Sequence, residues 1–467
     1  AYDRSGMIHI ASLLHTSPSS MSQQAPKTDI PAIMGPLSER LKAATGEGSE
    51  VRIWLIKDGE QLPVLPGSRK HRMSNLAGVL AERGHEVVWW CSTHSHQDKT
   101  FLFKEDRTVD LEQGFRLRLL HSGGYPRNLS WQRLVHHNRF AWKLNREMRR
   151  SPTPDAIVCC LPIVEAVLAC LIYTRQHGIP LVIDIRDPWP DIWLDRLPRL
   201  LRPPAMLMLS PYYAITRFAF ARAEVLTSIS NRWLRWAQEA VGRSKGDLDA
   251  VVVHGVHSLE PVELSQAPRI KSTLDALSGK LLLAFSGSFN NHYDLETVCE
   301  AAILLEEESD LHFLLAGDGP SYPRLLEQYG NLPNLTFLGW LERLELDALL
   351  QSSEVALIPY KGDMLGSKVY EYMAAGLPVL VSAFGDVNEL IGRTRTGLAY
   401  QVGNPRDFAD KTLELTRDAE LREVFSERAL DTFLNEFSAD RVYGAFADII
   451  ETVANRHGRG DARKESR

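Results

Sequence analysis

The chain has 467 residues, of which 44% are hydrophobic and 24% are charged, and its formal net charge is −6. At about 100–200 residues per domain, this length predicts two or three domains. The apolar fraction is typical of a soluble globular protein and suffices for two buried cores. The acidic balance argues against a general nucleic-acid-binding protein, which normally carries a basic surface. We therefore expect no nucleic-acid partner.

The cysteine content indicates a reducing compartment. There are five cysteines and none forms a C-x-x-C pair, so neither a disulfide framework nor a zinc site is indicated. We expect buried, reduced thiols in a cytoplasmic protein. The cysteines are Cys91, Cys159, Cys160, Cys170 and Cys299.

Two apolar stretches are candidates for a signal peptide or a membrane span. Residues 7–16 are too short and too poor in basic residues for a signal peptide. Residues 156–173 just reach the length of a short span, but Pro162 and Glu165 interrupt them. A buried strand followed by a helix that opens near Pro162 accounts for this run better.

The first half of the chain alternates strand and helix patterns. Residues 1–49 lack periodicity and are rich in small and polar residues, which predicts a disordered N-terminal extension. Residues 50–245 are predicted to form the N-terminal domain, because strands that alternate with helices build parallel β-α-β units. The predicted strands are 51–56, 86–91, 156–160 and 180–185, and the predicted helices are 71–84, 131–150 and 163–176.

The pattern restarts after a polar linker at 246–270. This linker holds the short strand 251–253 and Asp247-Leu248-Asp249, which we interpret as solvated and not as a metal site. The predicted units that follow are a C-terminal domain at 271–435, a helix at 436–456 that packs back on the N-terminal domain, and a solvated tail at 457–467. The predicted strands of the C-terminal domain are 280–286, 311–316, 335–338, 354–358 and 378–382, and its first helix is 293–307.

This order of elements predicts an α/β fold class. We expect two Rossmann-like domains that face each other across a cleft, each a parallel sheet flanked by helices. In such sheets, ligands bind at the carboxyl ends of the strands. Residues directly after the predicted strands are therefore the first candidates for a functional site.

The strongest motif is the segment 367–379, SKVYEYMAAGLPV. It predicts a helix that Ser367 caps and Gly376 ends, before a strand that opens at Pro378. Lys368 and Glu371 lie three residues apart and therefore share one helix face. The lysine suits a phosphate group and the glutamate suits the hydroxyls of a ribose. Taken alone, the pair is better explained as a surface ion pair.

Three turns with glycine follow other strands of the same domain. Small residues there let backbone N–H groups approach a diphosphate closely, although a single turn of this kind is a weak signal. The candidate donor-binding residues in these turns are Gly287, Ser288, Asn290, Gly317, Gly319, Leu338, Gly339 and Trp340.

In this order, the motifs resemble those of the family 4 glycosyltransferases, which have the GT-B fold. The carboxylate-x7-carboxylate motif of that family is matched by Asp363 and Glu371. The segments 67–72, 83–87 and 183–190 resemble the subgroup that builds bacterial cell-surface polysaccharides, such as lipopolysaccharide. The resemblance covers about residues 51–450.

The resemblance implies a role for each matched residue. Glu371 would hold the ribose, Lys368 the diphosphate and Asp363 the donor sugar, and these three form the catalytic set. Gly287 and Ser288 would lend backbone N–H groups to the diphosphate, and Leu338–Trp340 would frame the base. Ser367 joins the donor-binding set. The family is mostly retaining and needs no metal or other cofactor, because cationic groups and helix dipoles stabilise the leaving diphosphate.

The chain departs from the family pattern in several places. Many members have Arg at the position of Ser288 and Lys near Tyr293, so Lys368 would carry more of the diphosphate binding, with His292 or an arginine of the first domain. Asp363 replaces the usual Glu and has a shorter reach. The catalytic-loop His of some members has no clear match beside residues 159–162.

The acceptor side is expected in the N-terminal domain. The candidate acceptor or cleft residues are Gly67, Arg69, Arg72, Arg186 and Asp187. Arg186 and Asp187 follow a predicted strand directly, and they either contact a substrate or form a mutual salt bridge. His121 with Gly123 and Gly124 is a further candidate acceptor loop. In this subgroup the acceptor is a glycan or a polyprenyl-diphosphate-linked glycan.

Residues 196–222 mix five arginines with large apolar residues. This stretch is either a peripheral contact with the inner membrane or a core-facing helix pair with snorkelling arginines. The predicted function is a hexosyl- or aminohexosyltransferase that uses a nucleoside-diphosphate sugar in cell-surface polysaccharide synthesis. The alternatives are a catalytically silent GT-B subunit of an assembly complex and a sugar-nucleotide epimerase.

Overall fold

The computed structural model describes residues 50–64, 70–128, 130–194, 197–362 and 365–465. The predicted disordered extension at 1–49 lies outside these residues. So do three predicted site residues, Gly67, Arg69 and Asp363. Every structural statement below concerns the described residues.

The first sheet has eight strands in the described part of the chain, in the order β3-β4-β2-β1-β5-β6-β7-β8. All neighbouring strands are parallel except β3 and β4. The inner strands β1, β2, β5 and β6 are nearly continuous apolar runs, as expected for parallel strands covered on both faces. The strands are β1 (Arg52–Ile56), β2 (Glu86–Ser92), β3 (Arg107–Asp110), β4 (Arg116–Leu120), β5 (Ala156–Cys160), β6 (Leu181–Ile185), β7 (Val225–Ser228) and β8 (Ala250–Val251).

The helices of this domain follow its strands in chain order. Trp54 of the central strand β1 packs against Trp90 and Tyr173, with ring centroids 5.3 and 5.4 Å apart, so large aromatic rings fill one side of the sheet. The helices are α1 (Arg72–Glu82), α2 (Trp131–Met148), α3 (Val164–His177), the single turn α4 (Asp191–Leu194), α5 (Arg202–Arg222) and α6 (Asn231–Glu239).

The second sheet has six described strands, all parallel, in the order β11-β10-β9-β12-β13-β14. This is the doubly wound arrangement, in which the strand order reverses between the first and fourth strands. The strands are β9 (Leu281–Ser286), β10 (Leu311–Ala316), β11 (Leu335–Gly339), β12 (Val355–Ile358), β13 (Val379–Ser382) and β14 (Gly397–Tyr400).

Helices cover both faces of the second sheet and form one apolar core on each face. The prediction of an α/β fold with two Rossmann-like domains is therefore confirmed. The helices are α7 (Pro268–Ala276), α8 (Leu295–Leu304), α9 (Tyr322–Tyr329), α10 (Arg343–Gln351), α11 (Lys368–Ala374), α12 (Gly385–Thr394), α13 (Pro405–Arg417), α14 (Ala419–Thr432) and α15 (Ala439–Glu465).

The last helix, α15, packs against the end of α1 in the first domain. Arg83 donates from Nη1 to Asp448 at 2.8 Å and to Glu451 at 2.9 Å, and His85 contacts Glu451 at 3.0 Å. The helix continues to Glu465, so residues 457–465 of the predicted solvated tail are helical.

Several details differ from the sequence-based expectations. Strands β3, β4, β7 and β14 were not predicted, and β8 extends the first sheet beyond the expected boundary at residue 245. Asp249 is buried rather than solvated. Its carboxylate accepts from the backbone N–H groups of Leu226 and Gly246, at 2.8 and 2.9 Å, and from Arg243 at 3.0 Å. It therefore anchors β7 and the turn before β8.

The five cysteines are free and buried, as predicted. Burial raises the pKa of the Cys91 and Cys160 thiols well above the ordinary value. In the described part of the chain, no helix combines the length and the apolar character that a membrane span requires.

Candidate active site

The candidate site lies where the second sheet changes direction. Strands β9 and β12 are neighbours, but the chain leaves them toward opposite sides of the sheet. Ligands of doubly wound sheets bind in the crevice that opens at this point. The loop after β9 begins at Gly287, and the loop after β12 leads to Ser367 and helix α11. Two of the predicted donor-binding motifs therefore fall on the two loops that flank the crevice.

Three glycine turns pack directly on one another beside the crevice. Gly317 has φ +133°, and a Cβ atom there would lie 1.7 Å from the carbonyl oxygen of Gly287. Gly319 has φ +154°, and its Cβ would lie 2.6 Å from the carbonyl oxygen of Phe289. The N–H of Gly317 donates to the carbonyl of Gly339 at 2.7 Å. The loops after β9, β10 and β11 thus form one surface that is lined by backbone atoms. The packing of Gly317 and Gly319 leaves no room for a side chain at either position.

Helix α11 is held against this surface by Tyr372. The Tyr372 hydroxyl accepts the N–H of Ser286, the last residue of β9, at 3.0 Å. A Cβ atom on Gly287 would lie 3.2 Å from Cε of Lys368, so the lysine stem lies on the glycine turn. Glu371 is only 2% exposed. Its burial contradicts the interpretation of Lys368 and Glu371 as a solvent-exposed surface pair.

Two predicted contacts in this region take a different form. Ser367 does not cap α11 through its side chain; its hydroxyl donates to Oε1 of Glu371 at 3.2 Å. The N–H of Gly287 donates to the carbonyl of Ala316 at 2.9 Å, so this amide is engaged within the protein. Ser288 is exposed, and Oδ1 of Asn290 accepts the N–H of His292 at 2.9 Å. Gly376 ends the helix with φ +67°, as its sequence position predicts.

The loop predicted to frame a base is fixed from behind by Arg269. Its guanidinium donates to the carbonyl oxygens of Leu338 and Trp340, the latter at 3.1 Å. Leu338 is buried, Gly339 has φ +64°, and the Trp340 side chain is 68% exposed. Arg269 was not identified from the sequence, because it lies on α7, about 70 residues before the loop that it holds.

A second lysine stands near the crevice. Lys361 follows β12, its N–H donates to the carbonyl of His292 at 2.9 Å, and its Nζ lies 3.6 Å from Asp294. The aromatic rings of Tyr293 and Tyr360 pack at 5.2 Å between the same two loops. Lys361 was not singled out from the sequence, although its position just after a strand is the signal that identified other candidates.

In the first domain, Arg186 pairs with Glu60. Nη1 of Arg186 donates to the Glu60 carboxylate at 2.6 Å, and the other oxygen of that carboxylate accepts the N–H of Met73 at 2.7 Å. Burial by itself lowers the pKa of Arg186, but Glu60, Cys160 and Asp184 together outweigh it and raise the pKa. Burial, followed by the charge of Arg186, lowers the pKa of Lys57. Sequence reasoning missed Glu60, which lies in the loop after β1.

Arg72 was predicted to face the acceptor, and the structure places it elsewhere. Its side chain is fully buried and forms two hydrogen bonds to the Asp184 carboxylate, at 2.9 and 2.7 Å. Its Nη1 donates to the carbonyl oxygens of Val252 and Val253, both at 2.7 Å. These hydrogen bonds are made within the first domain, so Arg72 joins α1 to β6 and to the segment after β8.

A histidine cluster lies at the same edge of the first sheet. His136 is enclosed and contacts Asp58 at 2.9 Å. Burial by itself raises the pKa of Asp58, but the hydrogen bond and charge of His136 and the hydrogen bonds from Ser92 together outweigh it and lower the pKa. Burial, with the charges of Arg133 and His136, lowers the pKa of His137 to about 3. The predicted acceptor loop packs on this cluster through the Gly123 carbonyl, which accepts from His136.

The two sheets, the doubly wound order and the glycine-lined switch point define the class of the protein as a two-domain α/β protein of GT-B architecture. The structure of Anabaena Alr3699/HepE in complex with UDP has this fold. It superposes with a TM-score of 0.61 at 14% sequence identity, covering 86% of this chain and 100% of that one.

The sequence comparisons identify the family. The models of the "Glycosyl transferase 4-like domain" and of "Glycosyl transferases group 1" match residues 70–258 and 267–432. The first segment contains most of the strands of the first sheet, and the second segment contains the strands of the second sheet. The chain belongs to the family 4 glycosyltransferases.

Individual relatives are distant. N-acetyl-alpha-D-glucosaminyl L-malate synthase of Bacillus anthracis is 24% identical over 242 residues, which cover 51% of this chain and 62% of the relative. Sulfoquinovosyl transferase SQD2 of Arabidopsis thaliana is 24% identical over 365 residues, which cover 77% of this chain and 66% of the relative. The chain thus spans just under two thirds of the length of each.

Proposed function

We propose that this protein is a glycosyltransferase that moves a hexosyl or aminohexosyl group from a nucleoside-diphosphate sugar to a glycan or a polyprenyl-diphosphate-linked glycan. The reaction retains the anomeric configuration, and it serves cell-surface polysaccharide synthesis in the cytoplasm. One observation carries the proposal: the Lys368 side chain lies against the glycine turn at Gly287, where the second sheet changes direction, and the buried Glu371 follows one turn later on the same helix.

Each group at the switch point has a role in donor binding. The ammonium group of Lys368 offsets the charge that develops on the leaving diphosphate, which is the usual electrostatic contribution in such transfers. Glu371 accepts hydrogen bonds from ribose hydroxyls, and Ser367 orients its carboxylate at 3.2 Å. The exposed ring of Trp340 and the backbone of Leu338 and Gly339 face the base. Support comes from Anabaena Alr3699/HepE, whose structure contains UDP.

We propose that transfer needs no metal ion. A lysine supplies the positive charge that a divalent cation would otherwise provide. In the Asp247-Leu248-Asp249 segment before β8, the Asp249 carboxylate is occupied by donors of the protein. Asp363 stays a predicted contact of the donor sugar. Activity that survives an excess of EDTA is the expected result, and complete loss that added Mg²⁺ or Mn²⁺ restores would refute this part.

Thermal shift with a panel of nucleoside diphosphates tests the donor site. A ligand at about a hundred times its Kd adds about 2.7 kcal/mol to the free energy of unfolding. Wild type should be stabilised by one base class, and Lys368→Ala should lose most of that gain. Lys411→Ala is the matched control, because Lys411 lies in the same domain and pairs with Glu414 on the surface. Equal shifts in Lys368→Ala and wild type would refute the role of Lys368.

The role of Glu371 is tested by comparing a ribonucleoside diphosphate with its 2′-deoxy analogue. Wild type should bind the ribonucleotide more tightly, because the carboxylate accepts from the ribose hydroxyls. Glu371→Gln should reduce this preference, and it should weaken binding of the deoxy analogue less, because that analogue keeps only the 3′-hydroxyl. An undiminished preference in the variant would assign ribose recognition to another residue.

A second candidate function is a catalytically silent subunit that binds nucleotide or glycan in an assembly complex. It is favoured by the uncharged residues Ser288 and Tyr293, where many family members carry cations. Release of nucleoside diphosphate with a range of lipid-linked acceptors separates the two. Donor binding without turnover under any of these conditions would support the silent subunit, and turnover would exclude it.

A further inference from the structure

Large apolar side chains are exposed at the start of helix α5. A 3₁₀ turn at Arg199–Leu201 leads into this helix, and the exposed fractions are 91% for Leu200, 52% for Leu201, 77% for Leu207 and 81% for Met208. We call these four residues the apolar tip. In the first half of α5 only Leu209 is buried, so the tip is not part of the core. A cluster of exposed apolar side chains usually marks an interaction surface.

The charges around the apolar tip have one sign. Arg199 and Arg202 flank it, and Arg217 and Arg222 follow along the same helix. From residue 199 to residue 223 the sequence contains no Asp or Glu, although the whole chain has a net charge of −6. A basic apolar surface on an acidic protein complements the headgroups of anionic lipids.

Contacts of α5 with α3 fix the direction in which the tip projects. The Tyr212 hydroxyl donates to Glu165, in the first turn of α3, at 2.9 Å. The Phe218 ring packs under the guanidinium of Arg175 near the end of α3, at 5.6 Å. The two helices therefore run in the same direction. Because α3 begins just after β5, residues 202–211 extend beyond the carboxyl edge of the first sheet by about 15 Å, at about 1.5 Å per residue.

The tip thus stands at the edge that holds the proposed acceptor residues. Arg186 and Asp187 directly follow β6 at this edge. A tryptophan lies at the same end: Trp131, the first residue of α2, is 69% exposed, and His137 one and a half turns later lies 3.8 Å from Glu165. Tryptophan is enriched at membrane–water interfaces.

We propose that the apolar tip inserts into the surface of an anionic phospholipid bilayer and thereby turns the acceptor edge of the first sheet toward the lipid. The proposal rests on the proposed function in one respect: a lipid-linked acceptor is the reason why this edge would face the lipid. Its physical basis, the exposed apolar residues and the arginines, is independent of donor chemistry.

Sedimentation with lipid vesicles tests the proposal on the full chain. Wild type should sediment with vesicles that contain phosphatidylglycerol and much less with pure phosphatidylcholine. Leu207→Glu with Met208→Glu should lower the partition coefficient by about tenfold or more, because two charges replace inserted apolar groups. Arg199→Gln with Arg202→Gln should lower binding about fivefold per arginine on the anionic vesicles alone.

The matched control is Ile303→Glu with Leu304→Glu, an adjacent apolar pair on α8 of the second domain that is 46% and 50% exposed. It should bind vesicles as wild type does. Failure of wild type to bind anionic vesicles, or equal binding of the tip variant, would overturn the proposal. A change of oligomeric mass in the tip variant, without a change in lipid binding, would assign the surface to a second copy of the chain and also overturn it.

The nucleotide thermal shift keeps this test separate from that of the proposed function. The tip variant should retain the nucleotide-dependent shift of wild type, which also shows that it is folded. Lost vesicle binding with a retained shift supports the membrane contact. A wild-type protein that binds vesicles but no nucleotide would refute the donor site and leave the membrane contact standing.

Discussion

The two sheets present the same kind of edge to a ligand but hold it together differently. At the carboxyl edge of the first sheet, strand ends, loops and helices are joined by side-chain pairs such as Arg72–Asp184, Glu60–Arg186 and Asp58–His136. At the carboxyl edge of the second sheet, the loops are joined by backbone hydrogen bonds between turns that contain Gly287, Gly317 and Gly339.

The two edges therefore accommodate a ligand in different ways. Glycine turns let a ligand approach the backbone itself, which suits the diphosphate and base that every donor of one class shares. Paired side chains instead leave charged groups at fixed positions, which suits an acceptor of particular shape and charge. The first edge should therefore depend on its charges, and the second on the absence of side chains.

The largest expected effect follows from breaking the buried pair of the first edge. Arg72→Met leaves the Asp184 carboxylate without its cation and removes the donor from two carbonyl groups, so the free energy of unfolding should fall by about 4 kcal/mol. Chemical denaturation measures it. Adding Asp184→Asn to Arg72→Met should cost less than the sum of the single changes, because the unpaired charge is then removed.

The control for this prediction is an exposed pair in the second domain. Arg417 contacts Glu308 at 2.8 Å, but its side chain is 65% exposed. Arg417→Met should change the free energy of unfolding by no more than about 0.5 kcal/mol. If both arginine variants lose the same stability, the buried pair is not what holds the first edge.

The corresponding test of the second edge is Gly317→Ala. The new Cβ meets the Gly287 carbonyl at 1.7 Å and the backbone has φ +133°, so we expect a loss of about 3 kcal/mol and of nucleotide binding. Gly362→Ala is the control, because a Cβ there meets no atom within 4 Å. Unfolding curves and thermal shift with nucleotide measure both variants. Normal nucleotide binding by Gly317→Ala would contradict the proposed backbone-lined surface.

The contrast also explains how much could be predicted from the sequence. Most of the buried parallel strands and the motif at 367–379 are local patterns that were found from the sequence alone, whereas the buried strand β7, only four residues long, was missed. Strands β3 and β4 were missed because they lie at the exposed margin of the sheet and carry Arg107, Arg116 and Arg118.

The pairs of the first edge join residues that are far apart in the chain. Arg186 and Glu60 are separated by 126 residues, Arg72 and Asp184 by 112, and Asp58 and His136 by 78. No local sequence pattern indicates which of two such distant residues will pair. Arg72 and Arg186 could therefore be identified from the sequence as charged candidates, but the carboxylates that neutralise them could not.

The histidines of the first edge predict a sensitivity to acid. Burial, with the charges of Arg133 and His136, holds the pKa of His137 at about 3, below its ordinary value of 6.5. Between these pH values the unfolded chain binds a proton that the folded chain does not, so the free energy of unfolding falls as the pH drops from 6.5 toward 3. The raised pKa of His136 acts in the opposite direction.

Substitution of His137 isolates its contribution. When the pH is lowered from 6.5 to 4.5, the free energy of unfolding of His137→Gln should fall by about 2 kcal/mol less than that of wild type. Glu165, which lies 3.8 Å away and whose pKa is raised by burial, is present in both proteins and does not obscure the difference. Urea unfolding across this pH range measures it. Parallel pH profiles for the two proteins would show that His137 takes up its proton in the folded state at an ordinary pH.

The smallest expected effect separates the two edges by function. Arg186→Gln should raise the KM for the acceptor about tenfold, which corresponds to about 1.4 kcal/mol, and leave the KM for the donor unchanged. Glu60→Gln should shift the acceptor KM in the same direction, because Glu60 holds the Arg186 guanidinium at 2.6 Å. Lys368→Ala should act on the donor alone. A donor KM that rises in Arg186→Gln would instead show that this arginine contacts the diphosphate. Arg186 would then be the first-domain cation that makes up for the uncharged residues Ser288 and Tyr293.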